Sequence, residues 1–183
     1  MPHIKGVDLP FHGRSNLGYS CPWELARELS FIAPLGSVIL GWSMGGVIAI
    51  MMKMLFPSRF KRVVIVGGFA NMRSCFGEDS LRGFILRLKR RPNELDNFRK
   101  TALGRGFNDK IDLNNALKLL SDISKIDLRA KLSGLNLTVL HGINDKIVPP
   151  SCGLELANLS GGRFLLLDGG HMPGEIIARS ADL

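Results

Sequence analysis

Cysteine is scarce in this 183-residue chain: Cys21, Cys75 and Cys152 stand far apart, with no Cys-x-x-Cys pair. That spacing argues against a cysteine-ligated zinc site and a disulfide framework, so the expectation is three reduced thiols in a cytoplasm, each a small buried residue. Long apolar runs are also missing. The longest, Val47 to Phe56, is interrupted by Lys53, and at about half the ~20 residues needed to span a bilayer it reads as a core helix. No membrane partner is expected. The first residues, Met1-Pro2-His3-Ile4-Lys5, lack the apolar segment of a signal peptide. Aromatic residues make up only 7% of the chain.

Acidic residues are in deficit as well, and the deficit is local. The chain carries a net charge of +8, with 24 Lys and Arg against 16 Asp and Glu. Of these, 14 basic and 8 acidic residues fall between Asn71 and Ser133. The excess therefore marks one segment as a partner-facing surface. Nucleic acid is a poor fit, since that segment has few aromatics for stacking and no recognisable binding motif. At 45% hydrophobic and 22% charged, the chain otherwise reads as one ordinary globular domain.

What is present centres on Ser37-Val38-Ile39-Leu40-Gly41-Trp42-Ser43-Met44-Gly45-Gly46-Val47. Val38 to Leu40 predict a strand buried on both faces, and the run from Gly45 to Leu55 predicts a helix that Phe56-Pro57 ends. Between them lies Gly-x-Ser-x-Gly. Such a turn holds Ser43 in a strained conformation with its Oγ exposed, while Gly41 and Gly45 leave room for the strand and helix backbones. The Met44 N–H, at the helix start, points at any negative oxygen forming beside Ser43.

In chain order, Ile4 to Pro10 predicts the end of a strand running into the loop Phe11–Asn16. Trp23 to Ile32 has helical spacing with Ser20 as N-cap. Arg62 to Gly67 predicts a second buried strand. Asn71 to about Leu132 shows only helical spacing, an insertion of three or four short helices. Strands resume at Leu137–Leu140 and Arg163–Leu167. Strands alternating with helices imply an α/β fold with a mostly parallel sheet, helices on both faces and chemistry at the strands' C-terminal ends. The expected division is core at 1–70, a basic helical lid at 71–133, and core again at 134–183.

Three strand ends carry reactive side chains. Ser43 follows the first, Asp145 follows Leu137–Leu140, and His171 follows Arg163–Leu167. A serine hydroxyl needs an imidazole to take its proton, and the imidazole needs a carboxylate to fix its tautomer. Ser, Asp, His in that order, each just past a strand, predicts a catalytic triad. Asp145 as a turn residue and His171 as a loop residue are the alternatives. His12 and His141, each in a His-Gly pair, read as packing or hydrogen-bonding residues, and His3 as part of a frayed terminus.

Taken together, Asp8-Leu9-Pro10-Phe11-His12-Gly13-Arg14-Ser15, Gly41-Trp42-Ser43-Met44-Gly45-Gly46, His141-Gly142-Ile143-Asn144-Asp145 and Gly170-His171 resemble the α/β-hydrolase superfamily over nearly the whole chain. Within it, the Gly-Trp-Ser-Met-Gly-Gly elbow and Ile126–Leu132 are most similar to the pimeloyl-acyl-carrier-protein methyl ester esterases of biotin synthesis. The resemblance implies a cofactor-free serine carboxylesterase, with Trp42 lining the acyl pocket and a lid receiving an acyl ester on an acidic carrier protein. Arg82, Arg87, Lys89, Arg90, Arg91, Arg99, Lys100 and Arg105 then form the docking surface, against the alternative of a solvated helix face. A thioesterase or a cofactor-synthesis lyase would use the same three residues.

Measured against that family, the chain is expected to be a fragment or truncated reading frame. It lacks the N-terminal strands, the loop giving the second oxyanion donor and the closing helix, and has Phe11 where glycine is common. A strand missing beside Val38–Leu40 would leave an unpaired edge. The rival reading is a non-catalytic remnant that binds an acidic protein.

Overall fold

The computed structural model describes residues 5–104 and 109–172; the readings of His3 and Arg105 fall outside them. The elements run α1 (Pro22–Ile32), β1 (Val38–Trp42), α2 (Met44–Leu55), β2 (Arg62–Val66), α3 (Met72–Phe76), α4 (Glu78–Arg90), α5 (Glu94–Leu103), α6 (Leu113–Ser124), a 3-10 turn at Arg129–Lys131, β3 (Thr138–Gly142), α7 (Pro150–Ser160) and β4 (Arg163–Leu167). The strands form one four-stranded sheet in the order β1-β2-β3-β4, and every pairing is parallel. All four C-terminal ends therefore lie along one edge, where the loops carrying Ser43, Asp145 and His171 begin.

Helices α1, α2 and α7 pack on a single face of this sheet among the described residues. Ala49 and Gly46 of α2 approach Gly41 and Ile65, and Gly153 of α7 approaches His141 and Phe164. That side holds the main core, including Leu25, Ile48, Ile50, Met51, Val63, Ile65, Val139 and Leu156. The opposite face carries a small cluster of Val64, Val66 and Leu140 with Trp42, Leu165 and Leu167 beside it. The expectation of flanking helices on both faces thus meets helices on one.

Strand β1 corrects the reading of Val38 to Leu40 as doubly buried. Val38 and Leu40 are 46% and 44% exposed, because β1 is an edge strand that pairs only with β2 among the described residues and has α2 on one face. An apolar run does not distinguish one buried face from two when no polar residue alternates within it. Residues 5–9 form no strand either. Having no partner ladder, this segment ends in a turn where the Asp8 carboxylate accepts the Arg14 N–H at 3.0 Å. Helix α1 starts at Pro22 with Cys21 as N-cap, so Ser20 does not cap it. Proline's fixed φ and missing N–H suit the first helical position and move the boundary. Helix α2 does end at Leu55, with Phe56 as its C-cap.

The cysteine reading is overturned. Cys75 of α3 and Cys152 of α7 form a disulfide with Cα atoms 5.9 Å apart and a sequence separation of 77, and Cys21 alone is free. Sequence spacing reveals pairs that are local; this pair meets because the helices after β2 fold back towards the C-terminal edge. The cysteine argument for a cytoplasmic location goes with it. No helix among the described residues is long and apolar enough to cross a membrane.

A bond closing so long a loop stabilises mainly by restricting the unfolded chain. Replacing both Cys75 and Cys152 by Ala is expected to lower the unfolding free energy by about 2–5 kcal/mol. Urea titration of the oxidised protein against the double variant measures it, and equal midpoints would show that the bond contributes no stability.

Candidate active site

Ser43 stands between β1 and α2 with φ 53° and ψ −122°, a conformation costly for a residue with a Cβ. The sheet holds it there, since the Ser43 N–H donates to the Val66 carbonyl of β2 at 2.8 Å. A Cβ on Gly41 would lie 2.7 Å from Ala49 Cβ, Gly45 O and Gly46 Cα, and one on Gly46 would lie 3.0 Å from Ile65 Cγ2. Gly45, expected to share this role, has open space around it. The close approach thus falls on Gly41 and Gly46. Met44 is the first residue of α2, so its N–H belongs to the helix's unsatisfied N-terminal donors beside Ser43.

The loops after β3 and β4 are laced together. The Ile143 and Asn144 N–H groups donate to the Leu167 and Gly169 carbonyls, each at 2.9 Å. A Cβ on Gly142 would collide with the Gly170 carbonyl oxygen. This contact brings the two expected partners together: His171 Nδ1 lies 2.8 Å from Asp145 Oδ2. Both side chains are buried, at 1% and 0% exposure.

Asp145 accepts from every side. Its Oδ1 takes the N–H groups of Ile147 at 2.8 Å and Val148 at 2.9 Å, while Oδ2 also faces His141 Nε2 at 3.2 Å. Burial alone would push its carboxyl up, but hydrogen bonds from His141, His171 and the Val148 N–H outweigh that and hold it well below the usual carboxylate range.

Trp42 does something the resemblance did not imply. Its indole N–H donates to the His171 carbonyl at 3.0 Å, and its ring centroid lies 5.3 Å from the imidazole. On the other side, a Cβ on Gly67 would lie 3.0 Å from His171 Cε1 and Nδ1. Gly67 follows Val66, whose carbonyl binds the Ser43 N–H, so the His171 ring lies against the end of β2, the strand beside the one that carries Ser43. With Nδ1 engaged by Asp145, Nε2 is the nitrogen left for a reacting group. Ser43 Oγ makes no hydrogen bond to His171 or any other described residue, as is common for nucleophiles whose contact tightens only with substrate present.

The contact between His141 and Asp145 was missed as part of this site, although hydrogen bonding was expected of His141. Its one signal was a histidine four positions before Asp145, directly after the expected Leu137–Leu140 strand. His12, by contrast, turns its Nδ1 to the Pro10 carbonyl at 2.9 Å. No group of three or more His, Cys, Asp or Glu suited to a metal ion occurs among the described residues. A cleft of about 460 Å³ lies between Phe11–Gly13 and Lys110–Asp112, and neither Ser43 nor His171 lines it.

The basic residues divide. Arg82, Arg87, Lys89 and Arg90 on α4, Arg91 after it, and Lys100 on α5 are exposed. Arg87 and Arg91 both face Glu94, at 3.9 and 3.6 Å. The Arg99 side chain is only 15% exposed, 3.9 Å from Asp96, and donates to the Asp109 carbonyl.

Comparison with known proteins extends these observations. Residues 6–175 match the model of the alpha/beta hydrolase family. Relatives named pimeloyl-[acyl-carrier protein] methyl ester esterase, from Salmonella heidelberg and Salmonella agona, are 26% identical in an alignment 170 positions long that covers 78% of this chain. The match spans 65% of the length of these curated relatives. Among solved structures, a thermophilic esterase from Thermogutta terrifontis shares the fold with a TM-score of 0.70 and 20% identity, covering 95% of this chain and 74% of that one. A carboxylesterase structure from Nitrososphaera gargenis gives a TM-score of 0.69 and 18% identity, covering 96% and 76%.

Two outcomes follow from the geometry. Gly41→Ala forces a methyl group into the α2 backbone and is expected to cost about 1–3 kcal/mol or more, read by urea unfolding, whereas Gly45→Ala is tolerated. The Asp145 carboxyl has a lower pKa folded than its unfolded value of about 3.9. Its contribution to stability is therefore present above about pH 4 and lost as the pH falls below that. Asp145→Asn should flatten the stability profile below pH 4; an unchanged acid slope would contradict the assignment.

Proposed function

The chain belongs to the α/β-hydrolase family, and on that footing we propose that it is a serine carboxylesterase with Ser43 as nucleophile, His171 as base and Asp145 as the acid that orients the base. The observation carrying this reading is the 2.8 Å contact of His171 Nδ1 with Asp145 Oδ2, made beside the strand whose carbonyl anchors the strained Ser43. An imidazole held through Nδ1 has Nε2 free to take the Ser43 proton as Oγ attacks an ester carbonyl. The Met44 N–H then donates to the oxyanion of the tetrahedral intermediate. When the intermediate collapses, His171 returns the proton to the departing alcohol and an acyl-enzyme remains on Ser43. Water attacks that ester with His171 again as base, releasing the acid and the free serine.

Trp42 fixes the base in this scheme by binding its carbonyl and packing on its ring. The substrate proposed is a methyl ester of an acyl chain borne on an acidic carrier protein, as the names of the Salmonella relatives suggest for those proteins. Helices α4 and α5, inserted between β2 and β3, serve as the lid. Arg82, Lys89, Arg90 and Lys100, exposed on those helices, support docking of an acidic partner; Arg87 and Arg91, each facing Glu94, contribute less, and Arg99 is largely buried against Asp96 and the Asp109 carbonyl. The unbonded Ser43 Oγ is the observation that favours the rival, a non-catalytic protein that binds the carrier.

Intact-mass measurement after treatment with a fluorophosphonate separates the two. One adduct on the wild type, absent from Ser43→Ala, is the expected result, with turnover of a methyl ester falling at least about 10³-fold in the variant. A folded wild type that takes up no adduct would support the non-catalytic reading.

A further inference from the structure

His141 is a costly residue where it stands. It occupies β3 with no exposed surface, in a strand that is otherwise Thr138-Val139-Leu140 and Gly142. An apolar side chain would fill the position without burying ring nitrogens. One of those nitrogens, Nδ1, is buried with no hydrogen-bond partner among the described residues. A Cβ on Gly153 of α7 would collide with that atom, so the helix carries a glycine, unfavourable inside a helix, where the ring needs space. The Phe164 ring, with its centroid 6.3 Å from that of His141, closes another side.

The other nitrogen accounts for these sacrifices. Nε2 lies 2.9 Å from the Val148 carbonyl and 3.2 Å from Asp145 Oδ2. A carbonyl only accepts, so the ring hydrogen belongs on Nε2, which places one donor between two acceptors. The Val148 N–H in turn donates to Asp145 Oδ1 at 2.9 Å. Ring, residue 148 and carboxylate thus close a cycle. The two backbone N–H groups pin Oδ1, but the rotation of the carboxyl group about its Cβ–Cγ bond depends on what holds Oδ2. His171 alone would let the two swing together.

We infer that His141 is a positioning residue for the reaction, a second imidazole that fixes Asp145 by donating Nε2–H to the same carboxylate oxygen that receives His171. This rests on the serine-hydrolase reading of Ser43, His171 and Asp145. His141 touches no reacting atom; its effect passes through Asp145 to the orientation of His171. The chemical requirement is therefore a donor at the Nε2 position, which glutamine supplies and phenylalanine does not.

The test compares wild type, His141→Phe and His141→Gln in rate of fluorophosphonate labelling and in kcat and KM on a short-chain ester. His141→Phe should lower kcat and labelling about 10- to 100-fold, the effect of one hydrogen bond to a charged group, with KM unchanged, and His141→Gln should recover most of the loss. Equal rates for wild type and folded His141→Phe would overturn the inference while leaving Ser43 as nucleophile; so would a loss that glutamine does not restore. If wild type itself does not label, the serine-hydrolase reading fails, and the inference with it. A measurement on wild type alone guards against a variant that does not fold: ¹⁵N NMR of the histidine rings should show the His141 hydrogen on Nε2, and a hydrogen on Nδ1 would remove the donor and the proposal.

Discussion

A carboxylate with no exposed surface must find donors for both oxygens, and meeting that requirement for Asp145 organises the C-terminal half of the chain. Two donors are backbone N–H groups three residues or fewer downstream, so the segment after β3 has to turn back on itself at once. A third comes from β3 itself and a fourth from the loop after β4. The same turn delivers the chain to Pro149 and Pro150, where α7 starts and packs against β3 and β4. The acid's charge, expensive to bury alone, thereby ties two strands, a helix start and a loop into one unit. Ser43 is placed by a different means, its strained backbone held by the Val66 carbonyl of β2, while the His171 ring lies against the next residue, Gly67.

The sheet that presents this site is asymmetric. Its packed face is continuous from Leu25 of α1 to Leu156 of α7, whereas β1 offers Val38 and Leu40 to solvent, with Phe31, Ile32 and Leu35 also exposed close by in sequence. Parallel sheets are usually covered on both faces. Among the described residues the strand ends that carry Ser43, Asp145 and His171 are nevertheless held in register, although β1 pairs on one side only. Pairing with β2 over the full length of β1 is enough to fix the elbow.

Much of this was legible in the sequence because the signals were local. A β-branched run marked β2 and short apolar runs marked β3 and β4, Phe56-Pro57 marked the end of α2, and the Ser, Asp, His order followed from placing each residue after a strand. What escaped depended on packing between distant segments. Val38 to Leu40 reads the same whether one face is covered or two. Cys75 and Cys152 meet only through the path of the helices between them. Trp42 lies beside Ser43 in sequence, yet its indole reaches the backbone 129 residues later, which no periodicity encodes. His141 announced a polar group in a strand, but only the turn at Val148 shows what it binds. Gly45 and Gly46 exchanged roles because a motif fixes spacing, not which glycine meets the sheet.

The disulfide also limits how the helices between β2 and β3 can move. Helix α3 is covalently fixed to α7, and the two ends of the helical stretch are joined where the Leu128 N–H binds the Ala70 carbonyl and Asn71 bridges to Asp127. Swinging of α4 and α5 away from the sheet cannot begin at the strand end. It must hinge beyond Cys75, and the first joint available is Gly77, whose φ of 78° ends α3 and begins α4. The helical stretch hangs from a bolted frame, and the bolt sits on α7, the helix that follows Asp145.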